Sequence, residues 1–283
     1  MNPYVELFLM SFIFGTSGTF VKFLHLPSTT LAFFRLAVPT VVLFMYLSMN
    51  RVRLFRGNNM LLLIASALNA LRLFLYFIAF NMATIGNATL AASTTSMFIF
   101  LFSIVFLKEK MTVKKSLLLI AAFIGICVLY SNKPISFANK DFLGMSIAIL
   151  SSAIYSITMI IFKKELQRYS KTETIFYQNV VGAFIFLPFL FFNKPFPALW
   201  QVSLASVSGV MIGVVAFVMY FSLIKKVGPT VASLATFDTV ISVIFGVVIF
   251  HEQLTVNMII GGIIILLTSF FISSELRDPA VNE

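Results

Sequence analysis

The chain has 283 residues, 60% of them hydrophobic and 11% charged, with a net charge of +10 and a mean hydropathy of +1.02. A soluble domain carries about 25% charged residues, and here the apolar excess runs the whole length, which excludes a water-soluble domain with a single anchor. One cysteine, Cys127, excludes a disulfide framework or a thiolate metal centre. The basic residues fall between apolar stretches, as membrane insertion dictates, so no nucleic-acid partner is expected.

A helix needs about 20 apolar residues to cross a bilayer core of roughly 30 Å. Ten runs meet this length, at 4–24, 28–48, 59–81, 84–107, 114–131, 143–162, 174–193, 200–223, 229–250 and 256–274. The first lacks a basic leader and a small-residue cleavage site, so it is expected to be a retained helix. Trp200 stands at the start of run 8, where an interfacial anchor sits. Only the stretch near 132–142, with Asn132, Lys133, Pro134, Asn139 and Lys140, resembles a linker, and it falls at the middle of the chain. The fold class expected is therefore an all-α integral membrane protein of ten transmembrane helices, divided into halves 1–135 and 136–283.

Lys and Arg are unevenly spread over the connections. Those after runs 2, 4, 6 and 8, with the tail, hold fourteen, against Lys22, Lys133, Lys140 and Lys194 on the other side. The bias places both termini in the cytoplasm. The halves also echo each other: "FLKEKMT" (106–112) matches "IFHEQLT" (249–255), and "IGNATLAAS" (85–93) matches "VGPTVASLA" (227–235). Five helices per half is an odd number, so the second half inserts upside down. Two inverted five-helix repeats are an architecture of secondary transporters, which bind substrate near the midplane between the halves.

At these residues the sequence resembles the drug/metabolite transporter superfamily, in particular its EamA-type members. The features that carry the resemblance are Gly15, "AFFRL" (32–36) with Arg35, "GNATLAAS" opening run 4, and the Glu-x-Met/Leu-Thr turns at 109–112 and 252–255. The resemblance implies ten helices, an inverted repeat, a central cavity and movement of small organic solutes across the cell (inner) membrane. Where family members carry a Glu-Pro pair before the second-half Glu, this chain has Asp238-Thr239, and the first half has Thr95-Ser96.

Buried polarity singles out the candidate site. Arg72 lies about 21 Å from the cytoplasmic end of run 3 at 1.5 Å per residue, a depth at which a charge costs several kcal/mol unless it is paired or faces water. Asn69, Arg72 and Tyr76 share one helix face, which Ser66 extends. Asp238, the acid deepest in any run, lies about 15 Å into run 9. Three roles compete for it: proton carrier, ligand for a substrate ammonium, or salt-bridge partner of Arg72. Arg35, about 10 Å into run 2, is expected to snorkel or to cap carbonyls in a structural or gating role. No other basic residue near the midplane is expected to join Arg72. Thr95, with Thr94 and Ser96, and Tyr155, with Ser156, are further cavity candidates. Tyr177, Gln178 and Asn179 read as interfacial, and Glu109 and Glu252 as helix caps or ion-pair partners.

One midplane cation and one midplane anion suit a zwitterion. The leading expectation is a secondary transporter of small metabolites, amino acids foremost, working as an exporter. Uptake or exchange of another metabolite, such as a nucleotide derivative, is the runner-up. A channel or a non-transporting membrane partner is a minor alternative. His25 and His251 sit at the edges of runs and one Asp is deep, so neither metalloprotease nor prenyl-transferase ligand sets exist, and an enzyme is not expected. No cofactor motif or nucleotide-binding loop is present, so energy comes from a gradient, protons among the candidates. The partners expected are a small-molecule substrate and the lipid bilayer, with the chain a monomer or homodimer.

Overall fold

The computed structural model describes residues 3–54, 59–107, 113–131, 136, 138–193, 195–227 and 236–275, and all regular structure within them is helical. Helices α1 (Pro3–Gly15) and α2 (Ser17–Leu24) form one interrupted span, followed by α3 (Ser28–Met49) and α4 (Met60–Met82). A second interrupted span comprises α5 (Ile85–Ala92) and α6 (Thr95–Leu107), and α7 (Val113–Tyr130) closes the first half. The second half holds α8 (Lys140–Glu165), α9 (Lys171–Phe192), α10 (Leu199–Val210), a π-helical turn Met211–Ala216 leading into α11 (Phe217–Val227), α12 (Thr236–Phe250) and α13 (Val256–Glu275).

Among the described residues, seven helical stretches are long and apolar enough to cross a membrane: Val5–Leu24, Ser28–Met49, Met60–Met82, Ile85–Phe102, Lys140–Phe162, Lys171–Phe192 and Leu199–Leu223. Three shorter apolar helices, Ser116–Tyr130, Phe237–Phe250 and Val256–Phe271, cover the remaining runs. Ten runs are expected from sequence, and the structure by this measure gives seven. The shortfall lies where the last three helices border residues outside the described set.

The protein turns many large apolar side chains outward. Phe8, Phe44, Phe123, Phe184 and Val248 are all exposed, a surface that lipid covers and water would not tolerate. The interior is correspondingly polar in places, with buried Ser, Thr and Asn at helix contacts that allow close packing and bond across it. The principal helix contacts are α4 on α8, α3 on α9, α7 on α13, α4 on α9, α10 on α3, α1 on α12, and α8 on both α5 and α6. We call the end carrying Arg51, Arg53, Lys164 and Arg168 the basic end; these side chains are exposed there. At the opposite end Trp200, exposed, packs edge-on to Phe23.

Both breaks in the helices are chemically satisfied, as an apolar surrounding demands. At the first, Thr16 Oγ1 donates to Ile13 O at 2.6 Å, and Ser242 Oγ from α12 donates to Gly15 O at 2.8 Å. Gly15 permits that crossing, because a Cβ there would meet Ile241 Cγ2 at 2.6 Å. At the second, between α5 and α6, serines of neighbouring helices take the freed carbonyls. Ser152 Oγ donates to Ala92 O at 2.9 Å, Ser156 Oγ to Thr95 O at 3.0 Å and Ser269 Oγ to Ser93 O at 3.2 Å. The π-helical turn sets Gly213 against α3, where a Cβ would meet the Pro39 ring at 2.3 Å and the Arg35 guanidinium at 2.7 Å.

Candidate substrate-binding cavity

The breaks and the π turn surround one cavity of about 210 Å³ in the interior of the bundle. Its walls come from both halves: α3 and α4 supply Arg35, Asn69, Arg72 and Tyr76, α6 supplies Thr95 and Ser96, and α8 supplies Tyr155. The second half, besides Tyr155, adds Gln178 and Asn179 of α9, Phe217 and Tyr220 of α11, and Asp238, Thr239 and Ser242 of α12. Thus Asn69, Arg72, Tyr76, Thr95, Tyr155 and Asp238, which the sequence singles out, all reach this one space.

Arg72 is held by aromatic faces. Its guanidinium carbon lies 3.7 Å from the centre of the Tyr155 ring and 5.8 Å from that of Tyr76. Stacking of this kind occupies the faces of the guanidinium and leaves its in-plane N–H donors available. Its backbone is anchored too, since Ser151 Oγ of α8 donates to Arg72 O at 2.8 Å. The buried Nε of Arg72 has no hydrogen-bond partner, and such orphaned donors demand an explanation. Asp238 faces the cavity from α12, partly exposed to it, and Thr239 Oγ1 donates to its Oδ1 at 3.2 Å. No ion pair joins Asp238 to Arg72. The salt-bridge reading of the two is therefore not the arrangement seen.

Other residues depart from expectation. Arg35 neither snorkels nor lies at an interface: it is 8% exposed, lines the same cavity as Arg72, and its Nε is also without a partner. The cavity thus has a second basic residue, where the sequence suggests Arg72 alone. Gln178 and Asn179 are not interfacial; both are buried, both line the cavity, and the Gln178 Oε1 has no partner. Helix α9 begins at Lys171 behind a Ser170–Glu173 capping box, so these residues lie two turns inside. Tyr177, in contrast, is buried in an apolar cluster toward the basic end. Ser66 takes Val181 N at 3.3 Å, and Asn69 Nδ2 donates to Gln178 O at 3.1 Å, so both tie α4 to α9. Thr95 Oγ1 donates to Ala92 O at 2.8 Å, which leaves its lone pairs as acceptors. Ser17, Tyr220, Thr239 and Ser242 reach the cavity without having been expected. Ser17 carried a usable signal, a small polar residue beside Gly15 in an apolar run.

Glu252 lies away from the cavity, at the opposite end. Its carboxylate accepts from Ile85 N at 2.7 Å, Gly86 N at 3.1 Å and Lys22 Nζ at 2.8 Å. It therefore caps α5 from the other half of the chain, with an ion pair in addition. Asp141 assists by accepting from Thr84 N at 3.2 Å and Asn87 Nδ2 at 2.9 Å. Glu109 lies outside the described residues. Among the described residues, no group of three His, Cys, Asp or Glu comes together to hold a metal.

A lipid-facing helical bundle around a cavity lined by buried charged and polar side chains is the build of a multi-pass membrane transport protein. The chain belongs to the EamA-like transporter family, whose model matches residues 3–131 and 142–274. It is similar to the pseudopaline exporter CntI of Pseudomonas aeruginosa (strain UCBPP-PA14), 24% identical over 274 residues that cover 94% of this chain and 93% of that protein. It is also similar to an S-adenosylmethionine uptake transporter of Rickettsia conorii, 25% identical over 275 residues covering 94% and 90%. A solved crystal structure superposes with a TM-score of 0.68 at 16% identity, covering 98% of this chain and 97% of that one. Its likeness extends to the fold. The chain is thus a member of a transporter family.

Proposed function

We propose that this protein is a proton-coupled exporter of small zwitterionic metabolites, amino acids foremost, built as two inverted five-helix repeats in the inner membrane with both termini cytoplasmic. The observation that carries this is the cavity itself, with the unpaired Arg72 on a first-half wall and the unpaired Asp238 on a second-half wall. A guanidinium with its in-plane donors free receives a carboxylate in two parallel hydrogen bonds, and a carboxylate receives an ammonium. Asp238 holds the substrate's ammonium and a proton by turns, and that alternation couples export to proton entry.

The packing supports the repeat. Exchanging the two halves turns α4 on α8 into α10–α11 on α1, and α4 on α9 into α10 on α3. It turns α1 on α12 into α8 on α5–α6, and leaves α3 on α9 and α7 on α13 unchanged, and all of these contacts are present. The family model matches in two stretches, one in each half. The cavity volume, about 210 Å³, is below the roughly 300–1,000 Å³ of pockets for drug-sized ligands. It suits an amino acid better than a nucleotide derivative, although one relative is named for S-adenosylmethionine uptake. The other is named as an exporter, which agrees with the direction proposed.

The test is counterflow in proteoliposomes with a panel of labelled amino acids and nucleosides. At least one zwitterionic amino acid should exchange, and Arg72→Gln should stop it. Exchange of nucleoside derivatives with none of the amino acids would replace this reading with the uptake alternative. For topology, cysteines placed at 51–54 should be shielded from an impermeant reagent in intact cells and those at 136–138 labelled; the reverse would invert the assignment.

A further inference from the structure

Away from the ends of its apolar runs the chain carries three charged side chains, Arg35, Arg72 and Asp238. All three line the one cavity. Two cations face one anion there, so a plain zwitterion leaves one positive charge without a counterpart. At membrane depth such a residual charge costs several kcal/mol unless something neutralises it. The geometry excludes the simplest internal remedy. Arg35 is more than nine-tenths buried, its Nε has no partner, and among the described residues no carboxylate forms an ion pair with it. Nor is it free to swing to the interface, because it is seated on the bare backbone of Gly213 in the π turn beside Pro39. Arg35 and Arg72 line the same cavity of about 210 Å³, so one small ligand can reach both.

Resting on the zwitterion reading above, we propose that the substrate carries a second acidic group, an amino acid with net negative charge, and that Arg35 is the residue that selects it. The α-carboxylate binds the edge of the Tyr155-stacked Arg72, the second carboxylate binds Arg35, and the ammonium goes to Asp238. Gln178, whose Oε1 is buried and unpartnered in the same wall, is placed to take one further N–H of such a ligand. Charges then cancel, with two cations and one anion from the protein against two anions and one cation from the substrate.

The probes are L-glutamate and its neutral isostere L-glutamine, with 2-aminoadipate as a longer diacid, tested for thermal stabilisation of the purified full chain and for counterflow in proteoliposomes. A charge-assisted hydrogen bond contributes about 1.5–3 kcal/mol, so the diacids should bind at least tenfold more tightly than glutamine. Arg35→Gln should erase that preference, so that the diacids and glutamine bind alike, and Arg35→Lys should restore part of it. Should Arg35→Gln fail to fold, Arg35→Lys and the wild-type glutamate-to-glutamine ratio still decide. Equal binding of glutamate and glutamine by the wild type overturns this inference and leaves the zwitterion reading standing. Binding of neither, nor of any other amino acid in the panel, overturns both.

Discussion

Buried charge is handled in two opposite ways in this molecule. At the end away from the basic residues, Glu252 collects two backbone N–H groups and Lys22, and Asp141 collects Thr84 N and Asn87. In the central cavity, Arg35 and Arg72 keep unpartnered Nε atoms, and Asp238 is bonded only by its neighbour Thr239. The first arrangement closes its own accounts and joins the halves rigidly. The second is stable only when something else completes it, or when the cavity admits water. Satisfied charges therefore mark the frame, and unsatisfied ones mark the place where a ligand is received.

The sharpest way to break that contrast is at Asp238. Asp238→Asn keeps the size and the bond from Thr239 but can neither carry a proton nor pair with an ammonium. We expect gradient-driven accumulation in inverted vesicles to vanish while exchange at equal concentrations survives in part. Loss of both to the same degree would remove coupling from its role. Next in size is Arg72→Gln, which should weaken substrate binding about tenfold or more, because a charge-assisted bond is worth roughly 1.5–3 kcal/mol. Arg72→Lys should also transport poorly, since Lys lacks the planar fork. Both variants should melt close to the wild type. If Arg72→Gln were unstable and Arg72→Gln/Asp238→Asn regained stability and transport, the two residues would belong to the frame after all.

Much of the site was legible in the chain. A lone Arg and Asp deep in apolar runs announce themselves, and helical spacing alone places Asn69, Arg72 and Tyr76 on one face; all of them reach the cavity. Depth along its own run points Arg35 to an interface or to nearby carbonyls, whereas its surroundings are set by Gly213 of a distant π turn. Gln178 and Asn179 were misjudged because the apolar run begins later than the helix. Ser170 and the polar first turn, capped through Glu173, extend α9 toward the basic end. The serines that satisfy the α5–α6 break, Ser152, Ser156 and Ser269, act through contacts between elements far apart in sequence. Hydrophobic patterning does not encode which carbonyl a serine will find.

Glu252→Gln keeps one acceptor oxygen but loses the charge that favours the N-terminus of α5 and the pair with Lys22. With Glu252 only 8% exposed, we expect a loss of about 1–3 kcal/mol, read as a lower melting temperature in detergent. Substrate affinity should stay within about twofold. An unchanged melting temperature with lost transport would make this cluster a moving gate and not part of the frame.

The smallest effect is expected at Lys22, and it decides what holds the frame. Lys22 and Glu252 form an ion pair of 2.8 Å, but the Lys22 side chain is 24% exposed. A partly solvated pair of that kind contributes about 0–1 kcal/mol, since solvent screens it and ordering a long side chain opposes it. The two backbone donors of α5, in contrast, have no water to turn to if Glu252 is removed, and an unmet buried donor costs about 1–3 kcal/mol. Lys22→Gln leaves those two bonds in place. It should therefore lower the melting temperature by much less than Glu252→Gln does. The difference between wild type and Lys22→Gln should also shrink further in high salt, where exposed charges are screened over roughly 3 Å at 1 M. If Lys22→Gln proved the more damaging of the two, the ion pair and not the helix cap would be what joins the halves at this end.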